Sequence, residues 1–594
     1  MKSFHQAFGL CLTMTASAAC GACNDDEPGH HPRPVEWSDS QPASTAASSA
    51  SGPSDEAGPV TVDENAGIEV INERSDCEQL PGLVNRKITG ATLNAAVTLH
   101  GTILLEGSNR FTGDIVRIEP GTTVLMAADS KLEIGGERTR LEALGTPERP
   151  VRFCSADARP GSWSSLIINS TVTSDSVLSN VVVGGGGREK AAVAVSSHLT
   201  ISDLRILDSG ADGLSVATDA AITGLTVERS KGTALVLTES GALARLAAVR
   251  AAQNGRDAAE LRFDHVRGET LVTIKALGIP YVVPTSLEVW APLAIEAGTE
   301  MRFGGKFFLG NAHDGELHIN GTAANPVTLR GLSDAAGSWE GVYIGPSASA
   351  GSRLSHVRIS QARQALVLRT AATLDHVSAI ENENGVSVGA QGMSSLSTAI
   401  DVQRNTGSAL AVHTNALPTL PAEVTMASNA HDWIDVVATQ SGERWGVLRA
   451  SGTIRALPFA YHVLEGISIE SGADLTVEAG ARFVMAPGSY VDIGAKFEDQ
   501  VRVAFQGTAA KPIHFAGEVS RSGSWLGIVV GRRVLAGTAM QALVVRDAGK
   551  EGGAVIQLRA DVPITDTTIA NYVGRPIGAP DRSTVDYTLT NTLN

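Results

Sequence analysis

The sequence has few aromatic residues and a deficit of positive charge, and long apolar runs are missing beyond its N-terminus. Aromatic side chains make up 4% of the 594 residues, whereas glycine contributes 62. This balance favours short strands joined by tight turns. Acidic residues outnumber lysine and arginine by 63 to 47, and the net charge of −16 argues against a nucleic-acid partner. Beyond the N-terminus no apolar stretch of about 20 residues occurs, so we expect no membrane-spanning helix there.

Residues 1–23 have the character of an export signal. An apolar run at 7–14 and several small residues lead directly to Cys20. This end resembles the lipobox of bacterial lipoproteins, whose cysteine is acylated, although that family prefers leucine where this chain has Ser17. The resemblance implies acylation of Cys20, with Cys23 as the alternative. It also implies a lipid anchor at the bacterial cell envelope, in the outer membrane or at the cell surface. An ordinary secretory signal is the other interpretation.

The segment 24–75 is acidic and rich in proline, serine, alanine and glycine. Such a composition buries too little apolar surface to offset chain entropy, so it predicts a disordered linker. A flexible chain of this length has an r.m.s. span of roughly 40 Å. We interpret its His30 and His31 as solvated residues and not as a metal site.

Two cysteines remain after the signal segment, Cys77 and Cys154. In an exported protein such a pair favours a disulfide. Two buried thiols are the alternative.

A long repeat occurs three times in the rest of the chain. Each copy has a Gly-Thr pair, a Pro-apolar-x-apolar run, a Gly-Ser-Trp element and a short β-branched strand. The threonine and the tryptophan are 17 residues apart in every copy, as Thr146 and Trp163, Thr322 and Trp339, and Thr508 and Trp525. A repeat of this kind decides the architecture. It predicts three modules, at 76–267, 268–442 and 443–594.

A shorter period lies within the modules. In the first module, two strands recur every 21 residues, with first apolar positions at Ile201, Ile222 and Leu243 for one strand and at Val193, Leu214 and Leu235 for the other. The second module repeats the first strand at Leu354 and Leu374. A unit of this size cannot bury its apolar side alone, so stacked units pair strand on equivalent strand. The pattern predicts an all-β fold, a parallel β-solenoid of roughly 20 turns.

The turns of 20–22 residues, with the G-T-x-x-x-P-[VI]-x-[FL] and G-S-W elements, resemble the right-handed parallel β-helix repeat proteins of the pectate-lyase-like superfamily, and lipoproteins of bacterial envelopes in particular. The resemblance covers about residues 88–594 and implies a right-handed parallel β-helix. It implies no single activity, because the superfamily includes lyases, hydrolases, epimerases, adhesins and proteins without known chemistry.

No motif with the spacing of a catalytic, cofactor or metal site is apparent, so we predict no residue for any of these roles. Asp203, Asp208 and Asp212 have no acidic counterparts one turn later, so we interpret them as turn residues. The densest polar cluster, at 313–318, is interpreted as a loop. The corresponding regions carry Ser130, Lys131 and Glu133 in the first module and Ser489, Tyr490 and Asp492 in the third.

Trp163, Trp339 and Trp525 are candidates for stacking on a sugar ring, but their fixed place before a strand in all three copies favours packing in a corner of the fold. Together these features predict a non-enzymatic, lipid-anchored envelope protein. Its β-helix rod would have a structural, adhesive, glycan-binding or protein-binding role. The expected partners are a membrane, contacted through the lipid, and a polysaccharide or an envelope protein. A polysaccharide lyase or glycoside hydrolase on the same fold is the alternative.

Overall fold

The computed structural model describes residues 77, 84–438, 446–496, 500–580, 583, 586–588 and 590–594. All of them belong to one compact unit from Val60 to Asn594. The predicted signal segment, the linker and both candidate acylation sites, Cys20 and Cys23, lie outside the described residues.

The chain folds as a parallel β-solenoid of about 20 turns. Strands make up 51% of the structure and helices 2%, so the predicted all-β class is confirmed. None of the helices in the described part of the chain has the length and apolar character that crossing a membrane requires.

The first part of the solenoid begins with three short strands per turn and continues with turns in which two of these strands fuse. One face contains the short strands Arg86–Thr89, Thr102–Glu106, Thr123–Met126 and Val151–Ser155. The next face contains Val97–Leu99, Ile115–Ile118 and Arg140–Leu144. The third face contains Thr92–Leu93, Ser108–Phe111, Lys131–Ile134, Leu166–Ile168, Val193–Val195, Leu214–Val216, Thr233–Leu237 and Arg256–Leu261. The fused strands are Val177–Gly184, Thr200–Leu207, Ala221–Glu228 and Leu246–Ala252. The first fused strand pairs with Arg140–Leu144 through one half and with Val151–Ser155 through the other. A fused strand therefore bends across two faces.

The middle part repeats this order. One sheet contains His265–Val266, Leu287–Val289, Lys306–Leu309, Gly341–Ile344, Gln364–Leu368, Asn384–Val388, Ser408–His413 and His431–Val437. A second face contains Val272–Ile274, Pro292–Glu296 and Glu316–Asn320, and a third contains Tyr281–Val283, Glu300–Phe303 and Val327–Gly331. These two faces continue in the fused strands Arg353–Ser360 and Thr373–Ile380. The strands Ala399–Gln403 and Glu423–Ala427 follow. Two short 3₁₀ helices, Ser240–Arg245 and Thr414–Thr419, lie near the ends of the first and middle parts.

The last part has three sets of strands; two form sheets of their own, and the third continues the sheet of the middle part that includes His431–Val437. One contains Gly446–Leu448, Ile467–Ile469, Val491–Ile493, Ile528–Val530, Gly549–Leu558 and Val573–Gly578; the second contains Gly452–Ile454, Asp474–Glu478, Arg502–Gln506, Ala539–Gln541 and Ile564–Thr565; the third contains Tyr461–Val463, Arg482–Met485, Ile513–Gly517, Leu543–Arg546, Thr568–Ala570 and Thr592–Leu593. A single apolar core runs through all three parts of the solenoid.

The register of the strands confirms most of the predicted period. Ile201 pairs with Ile222, Leu354 pairs with Leu374, and the partner strands align through Val193, Leu214 and Leu235. The third predicted position was wrong, because Ile222 pairs with Leu246 and not with Leu243. Leu243 lies in the 3₁₀ helix Ser240–Arg245, which is inserted before the next strand and delays it by three residues.

A disulfide joins Cys77 to Cys154. Cys77 covers a second, small apolar cluster on the outside of the first sheet, where Leu104, Leu125 and Cys154 lie in one row. The next residue of that row is Gly184, and a Cβ there would come within 2.7 Å of the Cys77 sulfur. Glycine at this position therefore leaves the space that the cross-link occupies.

Candidate functional site

The structure places the three repeated tryptophans in the interior. Trp163, Trp339 and Trp525 are all buried. Their indole N–H groups donate to backbone carbonyls one turn later, at Gly184, Ser360 and Arg546 respectively. Their faces therefore pack in the corners of the solenoid, as their fixed place before a strand favours, and do not reach solvent, where a sugar ring could stack on them.

Of the three aspartates interpreted as turn residues, Asp208 and Asp212 have structural partners and Asp203 lies at a bend. Asp208 forms two hydrogen bonds with the Arg229 guanidinium, at 2.9 and 3.0 Å. Asp212 accepts a hydrogen bond from the backbone N–H of Thr233 at 2.8 Å. Asp203 has a positive φ of 52° at a bend of the fused strand Thr200–Leu207.

The cluster at 313–318 is only partly a loop. His313 and Asp314 lie between strands, whereas His318 is on the strand Glu316–Asn320. Its expected counterpart in the third module was also wrong. Asp492 pairs with Val529, and the position equivalent to Asp492 in the middle part is Phe308, which pairs with Tyr343.

Two other tryptophans, which sequence reasoning passed over, are partly exposed. Trp290 lies between His265 and His313, with ring centroids 4.0 Å apart on each side, and Arg267 lies 4.5 Å from the centre of the indole. Trp433 stacks on His462 at 4.1 Å. Each stack is held by histidine rings of this chain, so the aromatic faces serve intramolecular contacts.

A groove of about 850 Å³ crosses the outer face of the first sheet of the last part. We call it the C-terminal groove. Its floor is a row of outward side chains on four neighbouring strands, Ser468, Asp492, Val529 and Gln557. A volume of this size lies within the range of ligand pockets, roughly 300–1,000 Å³.

Glu470 positions two cationic side chains at one end of the groove. Its side chain is 5% exposed, and its carboxylate contacts Arg449 at 2.5 Å and also the Lys496 ammonium. About half of each cationic side chain remains exposed. A buried carboxylate that holds two cations fixes their direction and leaves charge facing the groove.

Asp492 is the unusual residue of the groove floor. Within the part of the chain that the structure describes, its carboxyl group has no hydrogen bond and no ion pair. Desolvation raises the pKa of Asp492, and the charge of Arg559 offsets only part of this effect. Burial also raises the pKa of the neighbouring Tyr490, as do nearby carboxylates, Asp492 first among them. A protonated carboxyl can donate a hydrogen bond or a proton.

The shape of the groove depends on a close approach at Gly466. The Tyr490 ring lies against Gly466, where a Cβ would come within 2.8 Å of a ring carbon. Glycine therefore lets the aromatic ring lie close to the adjacent strand beside the groove floor.

The charge of the C-terminal groove is opposite to that of the whole chain. Four cations line it, Arg449, Lys496, Lys550 and Arg559, against the two carboxylates Glu470 and Asp492. The chain as a whole carries −16. An anionic ligand would therefore be attracted to this face more strongly than to the rest of the surface.

The fold defines this chain as a parallel β-solenoid protein. No protein-family model matches it, and neither a curated protein nor a solved structure does.

Proposed function

We propose that this protein is a recognition rod of the bacterial cell envelope that binds an acidic glycan in its C-terminal groove. The observation that carries the proposal is the cluster of four cations in a groove of an otherwise acidic protein. The shared G-T and G-S-W elements support placing the solenoid among the right-handed β-helices of the pectate-lyase-like superfamily. A stacked-strand rod suits this role because it holds groove residues from successive turns at fixed spacing.

The chemistry of the lining favours carboxylated sugars. Arginine and lysine pair with carboxylates through charge-assisted hydrogen bonds. Ser468 and Gln557 add neutral donors and acceptors for hydroxyl groups. The volume accommodates a few sugar units of a longer chain.

The test is isothermal titration of the full chain with an oligosaccharide of four to six uronic acid residues and with its carboxyl-reduced, neutral form. We expect binding of the acidic form only. The triple variant R449Q/E470Q/K496Q removes both cations without leaving Glu470 buried and unpaired. It should weaken binding about tenfold, in line with the loss of charged hydrogen bonds.

Arg363→Gln is the matched control, since Arg363 forms a similar surface ion pair with Glu340 outside the groove. Its affinity should equal that of the wild type. Equal binding of the neutral oligosaccharide, no binding of either form, or full affinity in the triple variant would each contradict the proposal.

An enzyme acting on the same glycan is the second candidate function, and the desolvated Asp492 is the observation that favours it. A carboxyl group with a raised pKa in a groove has the character of a general acid. In that case the acidic oligosaccharide would be shortened, and Asp492→Asn would abolish product formation while it preserved binding. Binding without product supports the recognition rod.

We further propose that Cys20 anchors the rod through a lipid, with Cys23 as the alternative acylated residue. The apolar and small residues before Cys20 support this assignment. Cells expressing the full chain and fed labelled palmitate should incorporate the label, and Cys20→Ala should remove it. Retained label in Cys20→Ala together with its loss in Cys23→Ala would move the anchor to Cys23, and no label in any form would refute lipidation.

A further inference from the structure

Two histidines occupy the same bend of two successive turns in the middle part of the solenoid. His356 and His376 lie within the fused strands Arg353–Ser360 and Thr373–Ile380, and the residues on either side of them are paired in register. Both have positive φ, 44° and 57°. Their rings are stacked with centroids 4.6 Å apart and 14° between planes.

The equivalent bend in the first part of the chain has different residues. Its fused strands place Asn180, Asp203 and Gly224 there, which are small or tolerate positive φ. Two consecutive histidines at such a bend are therefore not required by the backbone. Because the bend is at the surface, His376 is exposed and His356 is partly exposed.

Asp375 fixes one of the two rings. Its Oδ1 lies 2.9 Å from His376 Nδ1 and also accepts the Thr398 hydroxyl at 2.7 Å. Its Oδ2 accepts hydrogen bonds from Ser355 and Arg353, each at 2.8 Å. With Nδ1 facing the carboxylate, His376 keeps Nε2 for another ligand. This is the arrangement by which carboxylates orient metal-binding histidines.

We propose that His356 and His376 bind one divalent transition-metal ion of the zinc and copper class, with Asp375 as the residue that positions His376. The candidate ligand atoms of the three residues lie within 4.8 Å of one another. A zinc ion holds each imidazole nitrogen at about 2.0–2.1 Å and lies near the plane of each ring, so the two nitrogens need to come within about 4 Å. The surface rings, which stack nearly parallel, therefore turn out of the stack when the ion binds, until their nitrogen lone pairs converge on it.

The donor set selects the class of ion. Imidazole nitrogens suit zinc, copper and nickel, whereas calcium and magnesium require several oxygen ligands. The proposed site contains no residue of the C-terminal groove, so it is independent of the proposed glycan binding.

The experiment titrates the full chain with Zn²⁺ and with Cu²⁺ against a chromophoric chelator. All proteins carry His30→Asn and His31→Asn, so that this histidine pair of the N-terminal segment does not contribute. We expect one ion per chain. His356→Asn and His376→Asn, which keep a residue that tolerates positive φ, should each weaken binding at least tenfold. Asp375→Asn should weaken it by roughly tenfold or more.

His198→Asn is the matched control, because His198 is also exposed and paired with an aspartate, Asp219, but no histidine among the described residues stacks on it. Its affinity should be unchanged. Electron paramagnetic resonance of the Cu²⁺ form should show two coupled imidazole nitrogens in the control and one in each histidine variant. Unchanged affinity in His356→Asn and His376→Asn, or a single coupled nitrogen in the control, would overturn the proposal. Circular dichroism verifies that each variant is folded.

Discussion

At the scale of single residues, a buried histidine links the stability of the solenoid to pH. His462 is buried, and its Nδ1 lies 2.9 Å from Asp435 Oδ1. Trp433 stacks on one side of the ring, and Glu518 lies 3.6 Å from Nε2. The hydrogen bond to Asp435 raises the pKa of His462 more than burial lowers it.

A raised pKa in the folded state stabilises the protein below the ordinary histidine pKa of about 6.5. This contribution is lost as the pH rises through the folded-state pKa. Asp435→Asn should therefore reduce the free energy of unfolding by about 1–2 kcal/mol at pH 5.5 and by clearly less at pH 8.5. Urea unfolding at the two pH values measures both differences.

Asp219→Asn is the comparison variant, because its pair with His198 is exposed and should be worth less than about 1 kcal/mol at either pH. A loss in Asp435→Asn that is equal at both pH values, or larger at pH 8.5, would show that the charged imidazolium does not contribute.

At the scale of elements, the corners explain how the strands of one turn connect without losing hydrogen bonds. Glu381 and Arg404 have positive φ, and each is followed by a buried asparagine, Asn382 and Asn405. The Asn405 side chain accepts the backbone N–H of Asn382 at 2.9 Å and donates to the Ala379 carbonyl at 3.1 Å. Each asparagine thus satisfies backbone groups of the preceding turn that the bend takes out of the sheet.

The same elements show why the fold could be predicted from the sequence. In a parallel solenoid, residues about 21 positions apart become neighbours, so the packing appears directly as a repeat. The prediction failed at Leu243, where a 3₁₀ helix shifts the register and the apolar residue still packs in the core. Periodicity alone does not show whether an apolar residue lies in the repeated strand or in a short helix inserted before that strand.

The candidate sites could not be predicted in this way, because their residues do not repeat. Asp492 lies on one strand, Glu470 and Arg559 directly follow two others, and the three share no motif. The tryptophans do repeat, but their repetition reflects packing in the corners of the solenoid. His356 and His376 are 20 residues apart, but only the register shows that they share one bend.

At the scale of the whole molecule, each turn contacts mainly its neighbours, so stability is expected to be local. The disulfide between Cys77 and Cys154 lies at the N-terminal end and spans 77 residues of sequence. Cross-linking a loop of this length stabilises the folded state by about 4 kcal/mol through its effect on the unfolded chain.

We therefore expect the double variant C77S/C154S to loosen the first turns only. Hydrogen exchange should become faster in residues 84–155, while the strands from Tyr281–Val283 to Glu423–Ala427 keep their protection, because they neither contact the cross-link nor share a turn with it. The wild-type protein under the same oxidising conditions is the control. Faster exchange along the entire chain would instead mean that the solenoid unfolds as one cooperative unit, and the nearest-neighbour description of its stability would then be wrong.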